Sequence, residues 1–154
     1  MNINLSDVIE AIESRDESLV QYYNKKEEII IYVSDSKESS YSSDDISEID
    51  KYEEWEQEII KQLYDLKENP KNYIKLPTYE EINEYEIVVR FIESINNEII
   101  KEKIIKDINK HNDLHEVRST FEKYGVINEW YDFQEEYEKD LAIKWCNENR
   151  IKYI

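Results

Sequence analysis

One glycine in 154 residues, Gly125, is the sharpest shortage in this chain. Loops that cradle phosphate need several glycines so that backbone N–H groups can approach the anion. Neither G-x-G-x-x-G nor G-x-x-x-x-G-K-[ST] can be written around a single one, and a G-x-S-x-G nucleophile elbow is missing as well. Cys146 is the sole cysteine, which excludes an intrachain disulfide. Next to Trp145 and far from any helix start, it reads as a small buried hydrophobe and not as a nucleophile. The longest uncharged apolar run, Ile29 to Val33, is too short to cross a bilayer, and MNINLSDVIE lacks the basic and apolar regions of a signal peptide. A cytoplasmic protein without a membrane partner is expected. Positive charge is also scarce, 20 basic against 37 acidic residues for a net of −17. Such a field repels phosphate, so the expected companion is a basic protein and not nucleic acid.

What is present is enough for a core: 40% of the residues are apolar, and a chain of this length reads as one domain, residues 1–154. Leu5, Val8, Ile9 and Ile12 recur at helical spacing after a cap at Asn4 or Ser6. Leu19–Tyr23 and Glu28–Val33 flank a polar turn at Asn24 and predict a β-hairpin, its continuous apolar second strand buried on both faces. Residues 34–50 hold seven serines and predict an acidic loop. Trp55, Ile59, Leu63 and Leu66 begin a helix that Asn69-Pro70 ends. YIKLP is extended. Thr78 with Glu81 forms a capping box for a helix carrying Ile82, Tyr85, Val88, Val89, Ile92 and Ile95. Asn96-Asn97 interrupts it before Ile99, Ile100, Ile104, Ile105 and Ile108, and a short helix follows through Leu114, Val117 and Phe121. Tyr22, Tyr32, Tyr85 and Tyr137 fit core faces. After Gly125, placed for a left-handed helix end, Ile127, Trp130, Phe133, Tyr137, Leu141 and Trp145 share one stripe of a long terminal helix and form the core framework. The fold class is α+β, mostly α: an N-terminal helix and β-hairpin packed on a bundle of about five or six helices.

Three groups of residues are candidates for chemistry. His111 and His115, four apart, would present two imidazoles on one helical face for a metal, but HNDLH lacks the glutamate of zinc peptidases and an identified third ligand. The glutamates 53, 54, 56 and 58, and likewise 135, 136 and 138, read as solvated rows, because paired E-x-x-H motifs for a two-metal site are absent. No cofactor is expected. Residues 35–60 carry ten acids and two lysines, a net of −8, with Tyr41, Tyr52 and Trp55 interleaved. Asp44, Asp45, Glu48, Asp50, Tyr52, Glu53, Glu54 and Trp55 therefore form a candidate protein-contact patch, since aromatic residues are enriched at interfaces.

LSDVIEAIE at the start, YIKLP with INEYEIVVRFIESI in the middle and YGVINEWYDFQEEYEKDLAIKWCNENRIKY at the end resemble the bacterial uncharacterised protein family 0158. The resemblance covers nearly the full length and departs at HNDLHEVRSTF, where it implies a glycine followed by phenylalanine and a more basic run. It places Trp130, Tyr131, Phe133, Ala142, Trp145 and Cys146 in a shared framework. It carries no catalytic residue, because the family has no assigned function. The expected activity is a non-catalytic interaction module for a basic partner, in its sharper form an inhibitor that imitates nucleic acid. The alternative is an enzyme with an unrecognised site, with or without a metal. Nothing in the residues sets the oligomeric state.

Overall fold

The computed structural model describes residues 1–34, 41–110 and 113–154. In chain order these form β1 (Asn2–Ile3), α1 (Leu5–Glu13), β2 (Leu19–Asn24), β3 (Ile29–Ser34), a 3-10 segment (Ser43–Lys51), α2 (Glu54–Glu68), a 3-10 turn (Pro70–Asn72) and β4 (Tyr73–Lys75). There follow α3 (Glu84–Ser94), α4 (Glu98–Asn109), α5 (Leu114–Lys123), α6 (Ile127–Glu148) and β5 (Lys152–Tyr153). Helix makes up 62% and strand 13% of the described residues, so the fold is α+β and mostly α, as the sequence implies. Contacts group the chain into two compact units, Met1–Ile82 with Ala142–Ile154, and Asn83–Leu141.

The first unit is built on the central strand β2, which pairs antiparallel with β3 on one side and β4 on the other. The expected hairpin is present, its first strand one residue longer and its second of the expected length but shifted by one residue, to Ile29–Ser34. Its turn is held by Asn24, whose Oδ1 accepts from the backbone N–H groups of Lys26 (3.0 Å) and Glu27 (3.2 Å) while Glu28 takes a left-handed φ of 57°. The expectation that β3 is buried on both faces is corrected: Ile31 is buried, but Ile29 and Tyr32 are exposed. β3 lies at the sheet edge, so burial falls to the centre, where Gln21, Tyr23 and Asn24 are covered. A second, parallel pair joins β1 to β5. Tyr23 binds these parts together: its hydroxyl donates to the Asn2 carbonyl (3.0 Å), and its ring meets Trp145 edge-on at 6.3 Å. Trp145 in turn donates from Nε1 to the Lys75 carbonyl (3.0 Å).

In the second unit, α3, α5 and α6 enclose an aromatic cluster. Phe91 lies 5.0 Å from Phe121 and 5.4 Å from Trp130, and Phe133 is 5.5 Å from Phe91, separations that favour edge and tilted ring pairs. The helix phase expected for α3 is corrected here. Tyr85 and Val89 are exposed, and Ile87, Val88, Phe91 and Ile92 are buried, because the adjacent stripe contains the large ring that the cluster takes up. The Thr78–Glu81 capping box does form, with both hydrogen bonds at 3.3 Å, yet it closes only a turn. Asn83, extended at ψ 102°, starts α3 by accepting from Glu86 N–H. Gly125 (φ 72°) ends α5 as expected, with Val126 N–H donating to the Phe121 carbonyl and Gly125 N–H to that of Glu122. Of the expected framework stripe, Trp130 and Trp145 are buried, and Ile127, Phe133, Tyr137 and Leu141 are half-buried. Glu138, expected in a solvated row, is buried instead.

A polar chain that no local sequence pattern marks runs through the first unit. Asn24 Nδ2 donates to the Tyr73 hydroxyl (3.3 Å), which donates to Asp65, which also accepts from Asn69 Nδ2 (2.7 Å). These donors, Tyr73 first and Asn69 second, hold the Asp65 carboxyl below its ordinary 3.8. A carboxylate depressed on folding adds stability above its unfolded pKa and loses it as the pH falls through its folded value. Wild-type protein should therefore lose stability below pH 3.8, whereas Asp65→Asn should be less stable at pH 7 and flatter across the acid range. Denaturant titrations at pH 7 and pH 3 check this; parallel pH profiles would contradict it.

Candidate functional site

The acidic segment expected as loop 34–50 is, from Ser43 to Lys51, a 3-10 segment bent at Glu48 (φ −122°, ψ 24°) and packed along α2; residues 35–40 lie outside the described residues. The cause is a second capping box. Asp44 N–H donates to Ser42 Oγ (3.3 Å) and Ser42 N–H to Asp45 Oδ2 (2.8 Å). The S-x-x-D pattern that carries this signal stands in the sequence at Ser42–Asp45, within the serine-rich run that suggests a loop.

A few residues on, Glu56 repeats the device. Its Oε2 accepts from Glu53 N–H (2.8 Å), and its Oε1 accepts from the Tyr41 hydroxyl (3.0 Å), so one carboxylate both caps α2 and anchors a ring. Tyr41 then stands 6.3 Å from Tyr52 at 65° and 6.3 Å from Trp55 at 84°. The Trp55 indole N–H is turned onto Glu53 Oε2 (3.1 Å), and Gln57 Nε2 donates to the Tyr52 carbonyl (2.9 Å). The outcome is a corner of three rings with Trp55 at its outer edge, 59% exposed. Burial first, with the Glu56 carboxylate next to Tyr41 and Asp45 next to Tyr52, pushes both phenols above their usual range, so they remain protonated donors.

The expected patch thus separates by role. Asp45 and Glu53 are committed inside the corner, Asp44 pairs with Lys67 (3.3 Å), and Glu48 pairs with Lys51 (2.9 Å). The side chains of Asp50 and Glu54 make no hydrogen bond or ion pair among the described residues and face solvent. Tyr41 and Glu56, outside the expected set, are the residues that orient it. From Tyr41 to Ile60 stand eight acids and one lysine, a net of −7.

The other candidates do not come together. His115 is exposed on α5 with its backbone N–H on Asp113 Oδ1 (2.9 Å), and His111 lies outside the described residues. Among the described residues no group of three or more His, Cys, Asp or Glu is placed to hold a metal ion. Burial pushes the Cys146 thiol up, away from the reactive thiolate. An open groove of about 490 Å³ is lined by Asp107, Lys110, Glu116, Ser119, Thr120 and Lys123. Its carboxylate already accepts from Tyr124 (2.6 Å) and Lys123 (3.0 Å), which hold Asp107 below the usual range and make it a poor proton acceptor. No described helix is long and apolar enough to cross a membrane.

No family model matches this chain, and neither a curated protein nor a solved structure does.

Neighbouring residues of this corner should therefore differ in how much they contribute to stability. Glu56→Ala, which removes a cap and the Tyr41 anchor, should cost about 1 kcal/mol or more in denaturant unfolding. Trp55→Ala should stay within about 0.5 kcal/mol. The reverse order would mean that the indole is structural.

Proposed function

We propose that this chain is a non-catalytic interaction module that binds a basic protein partner through the corner of Tyr41, Tyr52 and Trp55 and the carboxylates around it. The observation that carries the reading is Trp55: a large apolar ring, fixed by a hydrogen bond and a ring contact, yet 59% exposed inside a stretch of net charge −7. Exposed aromatic surface amid charge of one sign is the composition of a recognition patch. The wider field supports a cationic companion, since a net charge of −17 attracts basic surfaces and repels phosphate. In the sharper form of the proposal the partner is a nucleic-acid-binding protein and the outward carboxylates, Asp50 and Glu54 among them, occupy its phosphate channel. Membership of the bacterial uncharacterised protein family 0158 is also a proposal, and it adds no residue to this site. A cytoplasmic location belongs with it.

The probe for the charge component is a lysine-rich peptide of about ten residues, mixed rapidly with the full chain at low and at high salt. Asp50→Asn with Glu54→Gln removes outward charge and leaves both capping boxes intact. Association should slow severalfold at low salt, and its dependence on salt should weaken. An association rate unchanged by the double substitution would reject the acidic corner as the binding surface.

A further inference from the structure

We infer that the exposed face of Trp55 is the stacking platform for an arginine side chain of the basic partner, with Glu54 and Glu58 as acceptors for its guanidinium. This rests on the proposed interaction function and names the group that the corner takes.

The geometry leaves the indole open. Its N–H is pinned on Glu53, and Tyr41 meets it at 84°, so this edge-on contact leaves at least one broad face without an aromatic partner. Cations of this chain already lie over tyrosine rings: Arg90 over Tyr137 (5.7 Å), Arg118 over Tyr131 (5.9 Å) and Lys123 over Tyr124 (5.1 Å). Among the described residues none lies over Trp55, although indole is the strongest of the aromatic acceptors for a cation. The exposed indole thus carries no cation among the described residues, in the most acidic part of the chain.

Position on α2 supplies the second half of the site. Glu58 is one turn beyond Trp55, at the spacing that puts two side chains on one helical face, and Glu54, four residues before Glu58, shares a face with it. Glu58 reaches Lys61 only at 3.8 Å with both side chains exposed, a pair that an incoming cation can exchange. A guanidinium suits this arrangement better than an ammonium: it is flat, weakly hydrated and presents a fork of donors to carboxylates while its face lies on a ring.

The test compares hexa-arginine with hexa-lysine on the full chain, by anisotropy of the labelled peptides, for wild type and Trp55→Ala, with circular dichroism and melting curves showing that both proteins fold. Wild type should prefer arginine by about two- to fivefold, the range that an exposed cation–π contact supplies. Trp55→Ala should abolish that preference and leave lysine binding unchanged. If both peptides bind wild type equally, or if the substitution weakens both alike, the stacking site is overturned while the acidic interaction surface stands. If neither peptide binds, the proposed function itself fails and the stacking site with it.

Discussion

The first unit depends on one buried contact, the indole N–H of Trp145 donating to the Lys75 carbonyl with the Tyr23 ring against the indole. A tryptophan can be buried only if its polar edge finds an acceptor. Here the acceptor is a backbone carbonyl of β4, a short strand whose other edge has no pairing partner among the described residues. The contact thus satisfies both groups at once, and it spans 70 positions of sequence. Tyr23, fully buried, transmits it to β1 through the Asn2 carbonyl. With these rings in place the sheet has a fixed interior face, and α2 with the 3-10 segment has a scaffold from which to hold the acidic corner.

A chain so acidic must keep like charges from opposing its own folding, and the placement of its carboxylates shows how. Several stand in first turns: Glu56 in α2, Glu84 and Glu86 in α3, Glu98 in α4, Glu116 in α5 and Glu129 in α6. Helix N-termini carry unsatisfied N–H groups and partial positive charge, so acidity there is favourable. Side chains that accept from those N–H groups stand at Ser42, Asn83, Asn97 and Asp113. Part of the negative charge is therefore structural, and the carboxylates to consider for recognition are the ones beside Trp55.

The fold was legible where local chemistry acts alone. Gly125, Asn24 and the break at Asn69-Pro70 mark their turns because a left-handed residue, an amide that accepts from nearby N–H groups and a ring without N–H each impose a conformation. Helical period located α1, α2 and α6 for the same reason. It failed where two apolar stripes compete, as in α3, since only the packing of Phe91 on Phe121 and Trp130 chooses between Tyr85 and Ile87. Strand order is likewise a tertiary property, so the edge position of β3 and the exposure of Tyr32 could not be read from IIIYV. At the candidate site the acidity and the aromatic residues were visible, but the corner they build was not. Serine content suggested a loop and hid a capping box, and the partnership of Tyr41 with Glu56 spans 15 positions.

Of the three tryptophans two are buried and one meets solvent, and quenching of their fluorescence by acrylamide, a neutral quencher that the carboxylates do not repel, tests that division most directly. Wild-type emission should contain one readily quenched component, and Trp55→Phe should remove it and leave emission that is shielded until the protein unfolds. Ready quenching that survives Trp55→Phe would place Trp130 or Trp145 in water and contradict the account.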